Sequence, residues 1–144
     1  MKVRIILQGK AKDKRAAAWI KEYQKRLAHY MPLEVIKWGI PKQDRDERFF
    51  AGLTPSDKAV ALDEGGKRFT TSGLAEYLGE LEQVCRVLYI FIGEAAGHSH
   101  TVLKYVTERW SLSGMTMSYE IALLVLAEQL YRCMTVRTGH PYHK

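Results

Sequence analysis

Two periods of hydrophobicity alternate along this chain. Lys2-Val-Arg-Ile-Ile-Leu-Gln8 alternates and then becomes apolar, which predicts a buried strand over residues 2–8. Ala16, Trp19, Ile20, Tyr23 and Leu27 then recur at helical spacing, with Lys and Arg opposite, so residues 13–29 read as an amphipathic helix. Pro32 ends it, and Leu33-Glu-Val-Ile-Lys-Trp38 reads as a second strand. The charged segment 42–50 reads as one short helix, and Ala59-Val-Ala-Leu-Asp63 as a third strand broken by Gly65-Gly66. Ser72 is the candidate N-cap of a helix over 73–84. Arg86-Val-Leu-Tyr-Ile-Phe-Ile92 is β-branched and aromatic, a strand bounded by Gly93 and Gly97. A helix at 99–109, a short strand and loop at Ser111-Leu-Ser113 and a final helix over 118–134 complete the order.

Strands alternating with helices predict an α/β fold, a mainly parallel sheet flanked by helices, in one domain over residues 1–144. The loops at Asp63–Lys67, Gly93–Gly97 and Ser113–Ser118 then gather at the carboxyl edge of the sheet, where open α/β sheets bind ligands. Ser, Gly and Thr in the last loop leave backbone N–H and C=O groups open to an adenine edge or a sugar. That loop runs into Ile121-Ala-Leu-Leu-Val-Leu-Ala127, apolar on every face and therefore expected to be buried on more than one side.

Composition adds a partner class. The 144 residues are 47% hydrophobic and 26% charged, as in ordinary globular proteins, and no apolar run has the length of a membrane span. The apolar part of the first strand is too short for a signal peptide, so a cytoplasmic protein is expected. A net charge of +6 and a pI near 9.3 favour an anionic partner, with nucleic acid the first candidate. The cations cluster: Lys10, Lys12, Lys14, Arg15, Lys21, Lys25 and Arg26 form one group, and Arg132, Arg137, His140, His143 and Lys144 form another. Cys85 and Cys133 have neither metal nor redox spacing and read as buried thiols.

Taken singly, the candidate motifs are weak. Leu62-Asp-Glu-Gly-Gly-Lys67 and Phe91-Ile-Gly-Glu-Ala-Ala-Gly97 lack dinucleotide or P-loop spacing, and each alone reads as a strand-to-helix connection. His98 and His100 fall at a helix start, where their rings diverge, so they read as solvated and no metal is expected.

In combination the motifs are specific. Leu62-Asp-Glu-Gly-Gly-Lys67, Phe91-Ile-Gly93 with Gly97, Ser111-Leu-Ser-Gly-Met-Thr116, Glu128-Gln-Leu-Tyr-Arg132 and Gly139-His-Pro-Tyr-His143 follow one another in an order that resembles the RlmH family over nearly the whole chain. These are bacterial SPOUT-class methyltransferases acting on N3 of a pseudouridine in helix 69 of 23S rRNA. The resemblance implies an S-adenosylmethionine enzyme with a C-terminal trefoil knot, working on the ribosome as a homodimer through helix 118–134. It places the cofactor against Leu62, Gly93, Glu94 and the loop Ser113, Gly114, Met115, Thr116, Met117 and Ser118. It also implies that the partner subunit's tail helps to build the substrate side.

Four positions depart from the family pattern. Glu94 replaces a second glycine, Ser118-Tyr119 replaces Pro-His, Leu123 replaces an arginine, and residues 40–57 form a shorter segment than usual. Methyl transfer to a ring nitrogen is an in-line displacement that needs alignment and removal of the N3 proton. His143 is the first candidate base and Glu94 the second, with Tyr119 placed to hold the base position by a hydrogen bond. Arg132, Arg137 and Lys144, with His140 and Tyr142, are the candidate RNA contacts, although Arg132 equally suits an ion pair with Glu128 one turn earlier. The departures leave two other readings open: a catalytically silent RNA-binding relative, and a methyltransferase with another RNA or small-molecule target.

Overall fold

The computed structural model describes residues 1–9 and 13–144, so Lys10 and Lys12 of the first basic group lie outside the described residues. Its organising element is a strand in which every residue is buried, β4 (Val87–Ile92). A strand that is apolar throughout must be covered on both faces and flanked on both edges, as in parallel sheets. β4 lies between β1 (Lys2–Leu7) and β3 (Asp57–Arg68), with β2 (Leu33–Lys37) and β5 (Glu108–Ser111) outermost. The order is β2-β1-β4-β3-β5 and every pairing is parallel.

Helices cover both faces of this sheet. On one, α1 (Lys14–Leu27) and α3 (Thr71–Glu82) pack against α5 (Tyr119–Thr138), over a core that includes Ile5, Leu27, Leu78, Ile90, Leu126 and Leu130. On the other, α2 (Gln43–Ala51) and α4 (His100–Tyr105) lie over an aromatic layer of Phe49, Phe50, Tyr89 and Phe91. The expected α/β fold with a parallel sheet is present, and both cysteines are free and buried. Burial pushes the Cys133 thiol up to about 12.

Several boundaries differ from expectation, each for a tertiary reason. β3 is not broken at Gly65-Gly66. Leu62 and Lys67 of β3 both pair with Trp110 of β5, so the residues between them, with the two glycines, form a bulge and pairing resumes to Arg68. α3 starts at Thr71, capped by Thr70 rather than Ser72; the Thr70 hydroxyl accepts from the Gly73 N–H at 3.0 Å. α4 ends at Tyr105 instead of reaching 109, because Thr107 N–H donates to the Ala59 carbonyl and the following residues join the sheet as β5. α5 continues to Thr138, where Gly139 at φ 71° forms a left-handed C-cap. Trp19 is 53% exposed, stacked on the buried Tyr23, so the inward stripe of α1 is Ile20, Tyr23 and Leu27. Ile121, the first residue of the apolar run in α5, is also exposed.

The bulge gives a direct test. A Cβ at Gly66 would lie 2.6–2.8 Å from the backbone of Arg109 and Trp110. Gly66→Ala is therefore expected to cost about 1–3 kcal/mol of stability, read as a lower urea midpoint. An unchanged midpoint would show that the two strands are not packed backbone to backbone.

Candidate functional site

Because β4, β3 and β5 are adjacent and parallel, their carboxyl-terminal segments emerge side by side. The bulge of β3, the 93–98 loop and the 112–118 loop enclose a cleft of about 810 Å³. Leu62, Gly93, Glu94, Ser113, Met115, Thr116, Met117, Ser118 and Tyr119 all line it. Gly114 does not; it sits under the Arg68 guanidinium, and a Cβ there would lie 2.3 Å from a guanidinium nitrogen. Asp63, Glu64, His98 and Ala122 also line the cleft; the sequence names the first two only within the 62–67 motif and reads His98 as solvated.

Short-range contacts brace these loops. The 93–98 loop doubles back on itself: Gly97 N–H donates to the Glu94 carbonyl at 2.7 Å, with Gly97 at φ 88°. A Cβ on Gly93 would meet the backbone of Gly97 and His98 at 2.9–3.0 Å, so this turn requires glycine at its first position. In the 112–118 loop, Thr116 donates to the Glu64 carboxylate at 2.6 Å, and Ser111 donates to the carbonyls of Glu64 and Ser113. Ser118 caps α5 by accepting from the Ile121 N–H. The small residues of this loop thus serve as braces as well as an open surface.

Among the described residues, the charged groups lining the cleft are the carboxylates of Asp63, Glu64 and Glu94, with no lysine or arginine; Asp63 is paired with Arg109 at 3.3 Å. Burial first, then the carboxylates of Glu120 and Glu94, hold the Tyr119 phenol above its ordinary range. The phenol therefore stays protonated near neutrality and acts as a hydrogen-bond donor, not as a base.

His98 is not solvated. Its Nε2 lies 2.5 Å from the Leu62 carbonyl and its Nδ1 2.7 Å from the Gln8 carboxamide nitrogen, and burial lowers its pKa. His100 is exposed on α4, so the two rings do diverge. Among the described residues, no group of three or more His, Cys, Asp or Glu is placed to hold a metal ion.

The tail lies apart from the cleft of its own chain. Arg132 pairs with Glu128, the ion pair foreseen as its alternative role, and its guanidinium stacks over the Tyr142 ring at 4.8 Å. Tyr142 donates to the same Glu128 carboxylate at 3.1 Å, and His143 Nδ1 lies 3.4 Å from Arg132. Arg137 pairs with Glu82 at 2.7 Å. His140 and Lys144 are exposed. Arg132 is thirteen positions beyond Tyr119 on one helix, which corresponds to roughly 20 Å at 1.5 Å per residue.

The comparisons with known proteins decide the family. A family model described as "Predicted SPOUT methyltransferase" matches residues 1–143. The chain belongs to the SPOUT methyltransferase family. It is an enzyme of that methyl-transferring class, and its likeness to the RlmH proteins extends over its full length. Proteins named "Ribosomal RNA large subunit methyltransferase H" from Xanthomonas oryzae pv. oryzae and from an Anaeromyxobacter species are each 36% identical over 155 aligned residues. The alignments take in 100% of this chain, with 99% and 100% of those proteins. Among solved structures, a probable methylase family protein from Haemophilus influenzae Rd KW20 superposes with a TM-score of 0.61 at 9% identity, over 99% of this chain and 70% of that one. The SpoU methyltransferase AviRb from Streptomyces viridochromogenes gives 0.55 at 14% identity, over 96% and 61%. At such identities these two likenesses concern the fold of this SPOUT chain.

The protonated state of Tyr119 can be read optically. In alkaline titrations followed by tyrosinate absorbance, the difference between wild type and Tyr119→Phe should show one phenol ionising above 10, the ordinary value. Adding Glu120→Gln should lower that ionisation, because a neighbouring negative charge is removed. Ionisation below 10 would show that burial and the two carboxylates do not hold this phenol's proton more tightly than usual.

Proposed function

We propose that this enzyme transfers a methyl group from S-adenosylmethionine to N3 of a pseudouridine in helix 69 of large-subunit rRNA, on the assembled ribosome in the cytoplasm. The observation that carries this reading is the full-length match to large-subunit rRNA methyltransferases, together with a cleft formed by the loops that the resemblance names. The residues in the cleft fit the cofactor. Ile92, Leu112, Met115 and Ala122 provide apolar walls for an adenine, and the carboxylates of Asp63, Glu64 and Glu94 are acceptors for ribose hydroxyls and an ammonium group. Glu94 is therefore compatible with binding, as a partner of the cofactor's hydroxyl or cationic groups.

S-adenosylmethionine supplies the methyl group as an electrophile on a sulfonium centre. The braced loops of the chain hold the reactants in line, and the closed side of the cleft keeps water away. A general base takes the N3 proton as the nitrogen attacks. His143 is the first candidate and Glu94 the second. Tyr119, as a protonated phenol, orients the acceptor ring by donating to a carbonyl of the base.

His143 lies beyond the end of α5 and touches the side chain of Arg132, whose backbone is roughly 20 Å along that helix from Tyr119 at the cleft. We infer that it serves the cleft of a second protomer, in a homodimer formed through α5, with the C-terminal segment threaded as a trefoil knot. Exposed Ile121 and Trp19 are apolar surface available to such a contact. The ion pair of Arg132 with Glu128 is an i,i+4 contact worth about 0.5 kcal/mol, small enough for an RNA phosphate to replace it. Arg137, His140, Tyr142 and Lys144 complete the RNA-facing tail, and their affinity should fall steeply with salt.

Ribosomes lacking the helix 69 methyl group are the test substrate. Wild-type protein with labelled S-adenosylmethionine is expected to add one methyl per ribosome at that nucleotide, located by mass spectrometry. His143→Ala should slow turnover about 100-fold or more while cofactor binding is unchanged. Methylation elsewhere, or only on small molecules, would overturn the substrate. Mixing His143→Ala with a protomer disabled by Gly93→Ala should restore about a quarter to a half of the activity if the tail acts on its partner's cleft. No recovery, or a monomer in sedimentation at micromolar concentration, would overturn the shared site.

A further inference from the structure

A polar chain lies directly beneath the cleft. Gln8 directly follows β1 and is only 4% exposed, a position where an unpaired carboxamide would be costly. Both halves of its side chain are used. Its oxygen accepts from the Ser99 N–H at 3.0 Å, and its nitrogen faces His98 Nδ1 at 2.7 Å. The carboxamide nitrogen can only donate, so Nδ1 must be the bare, accepting nitrogen of the ring. The other ring nitrogen is 2.5 Å from the Leu62 carbonyl, which can only accept, so Nε2 carries the proton. The partners thus select one neutral tautomer. Through it, the ends of β1, β3 and β4 are joined by hydrogen bonds that do not belong to the sheet.

We propose that His98 is a positioning residue for the cofactor: in its neutral Nε2–H form it ties Leu62 and the 93–98 loop to Gln8, and protonation of Nδ1 releases this clasp and weakens S-adenosylmethionine binding. The proposal rests on the reading of the cleft as the cofactor site. A proton on Nδ1 would face the donating nitrogen of Gln8, so one hydrogen bond becomes a repulsion. Turning the Gln8 carboxamide to present its oxygen would abandon the Ser99 N–H. Among the described residues, the charged groups around the ring are few. Asp63 on β3 favours a charged ring and Arg109 on β5 opposes it, although the two are paired with each other at 3.3 Å. Glu94 is on the same loop, and buried Asp46 on α2 reaches this loop through the Ser99 hydroxyl at 3.3 Å and is itself paired with Arg45. Burial is the largest influence and lowers the pKa from the ordinary 6.5, so the clasp is closed at neutral pH and opens as pH falls below that value.

The experiment has two readouts. Long-range ¹⁵N–¹H spectra of histidine-labelled protein, with His98 assigned from His98→Gln, should show a protonated Nε2 and a bare Nδ1 at about pH 7. A protonated Nδ1 at that pH would overturn the proposal without any ligand. S-adenosylmethionine affinity is then measured by calorimetry at about pH 7 and about pH 5. Wild type is expected to bind more weakly at the lower pH. His98→Gln, whose amide can donate to Leu62 and accept from Gln8 without titrating, should bind nearly as well as wild type at pH 7 and vary little with pH. Any titration of the ligand itself appears in both proteins, so their difference isolates His98. His98→Leu should bind weakly at both pH values. Equal pH dependence in wild type and His98→Gln would sink the clasp while leaving the cofactor site intact. Absence of binding by wild type at pH 7 would instead sink the reading of the cleft and, with it, this inference.

Discussion

Everything in this molecule depends on the parallel pairing of β4 between β1 and β3. Val87–Ile92 is buried at every position, and its two neighbours meet it in register over Lys2–Leu7 and Asp57–Ala61. The carboxyl end of β4 is thereby placed next to that of β3, which pairs in turn with β5, and the cleft is what the bulge of β3 and the segments after β4 and β5 enclose. Binding energy from a fully apolar strand, about 25 cal/mol for each Å² removed from water, is thus converted into the spatial coincidence of segments far apart in sequence. The braces at Gly93, Thr116 and Ser118 refine that coincidence and do not create it.

Among the described residues, the carboxylates of the cleft and the exposed cations of α1 lie on different surfaces. Carboxylates at 63, 64 and 94 face the cleft, whereas Lys14, Arg15, Lys21 and Lys25 are exposed on α1. In the proposed reaction the cofactor brings cationic groups and the RNA brings anionic ones, so each partner meets the sign that attracts it. The tail, held by Glu128 and stacked on Tyr142, belongs to the second surface.

How much of this could be read from the sequence follows from the range of the interactions involved. β4 was legible because a run of β-branched and aromatic residues has one burial solution. The loops at 93 and 113–118 were legible because small residues cluster after elements whose type was clear. The end of α4 was not, since Thr107–Ser111 has no local signal against helix and was drawn into the sheet by Ala59 and the edge of β3. The same applies to Gly65-Gly66, where a partner strand turned an apparent break into a bulge. His98 looked solvated because a histidine at a helix start normally is. Its partners are ninety residues earlier, at Gln8, and thirty-six residues earlier, at Leu62, so no local window contains them. The roles of the tail lay beyond sequence spacing for a related reason: its residues sit at the far end of a helix whose near end borders the cleft.

The strand order also constrains how the chain comes to be folded during its own synthesis. Lys2 pairs with Val87, so β1 has one edge filled early by β2 and the other vacant until β4 has been made. β3 emerges in between without a neighbour, because both of its partners, β4 and β5, follow it. Non-local parallel pairing of this kind is slow and leaves strand edges unpaired meanwhile. The nascent chain thus passes through a stage in which two open edges await a single strand, and the arrival of Val87–Ile92 closes both at once.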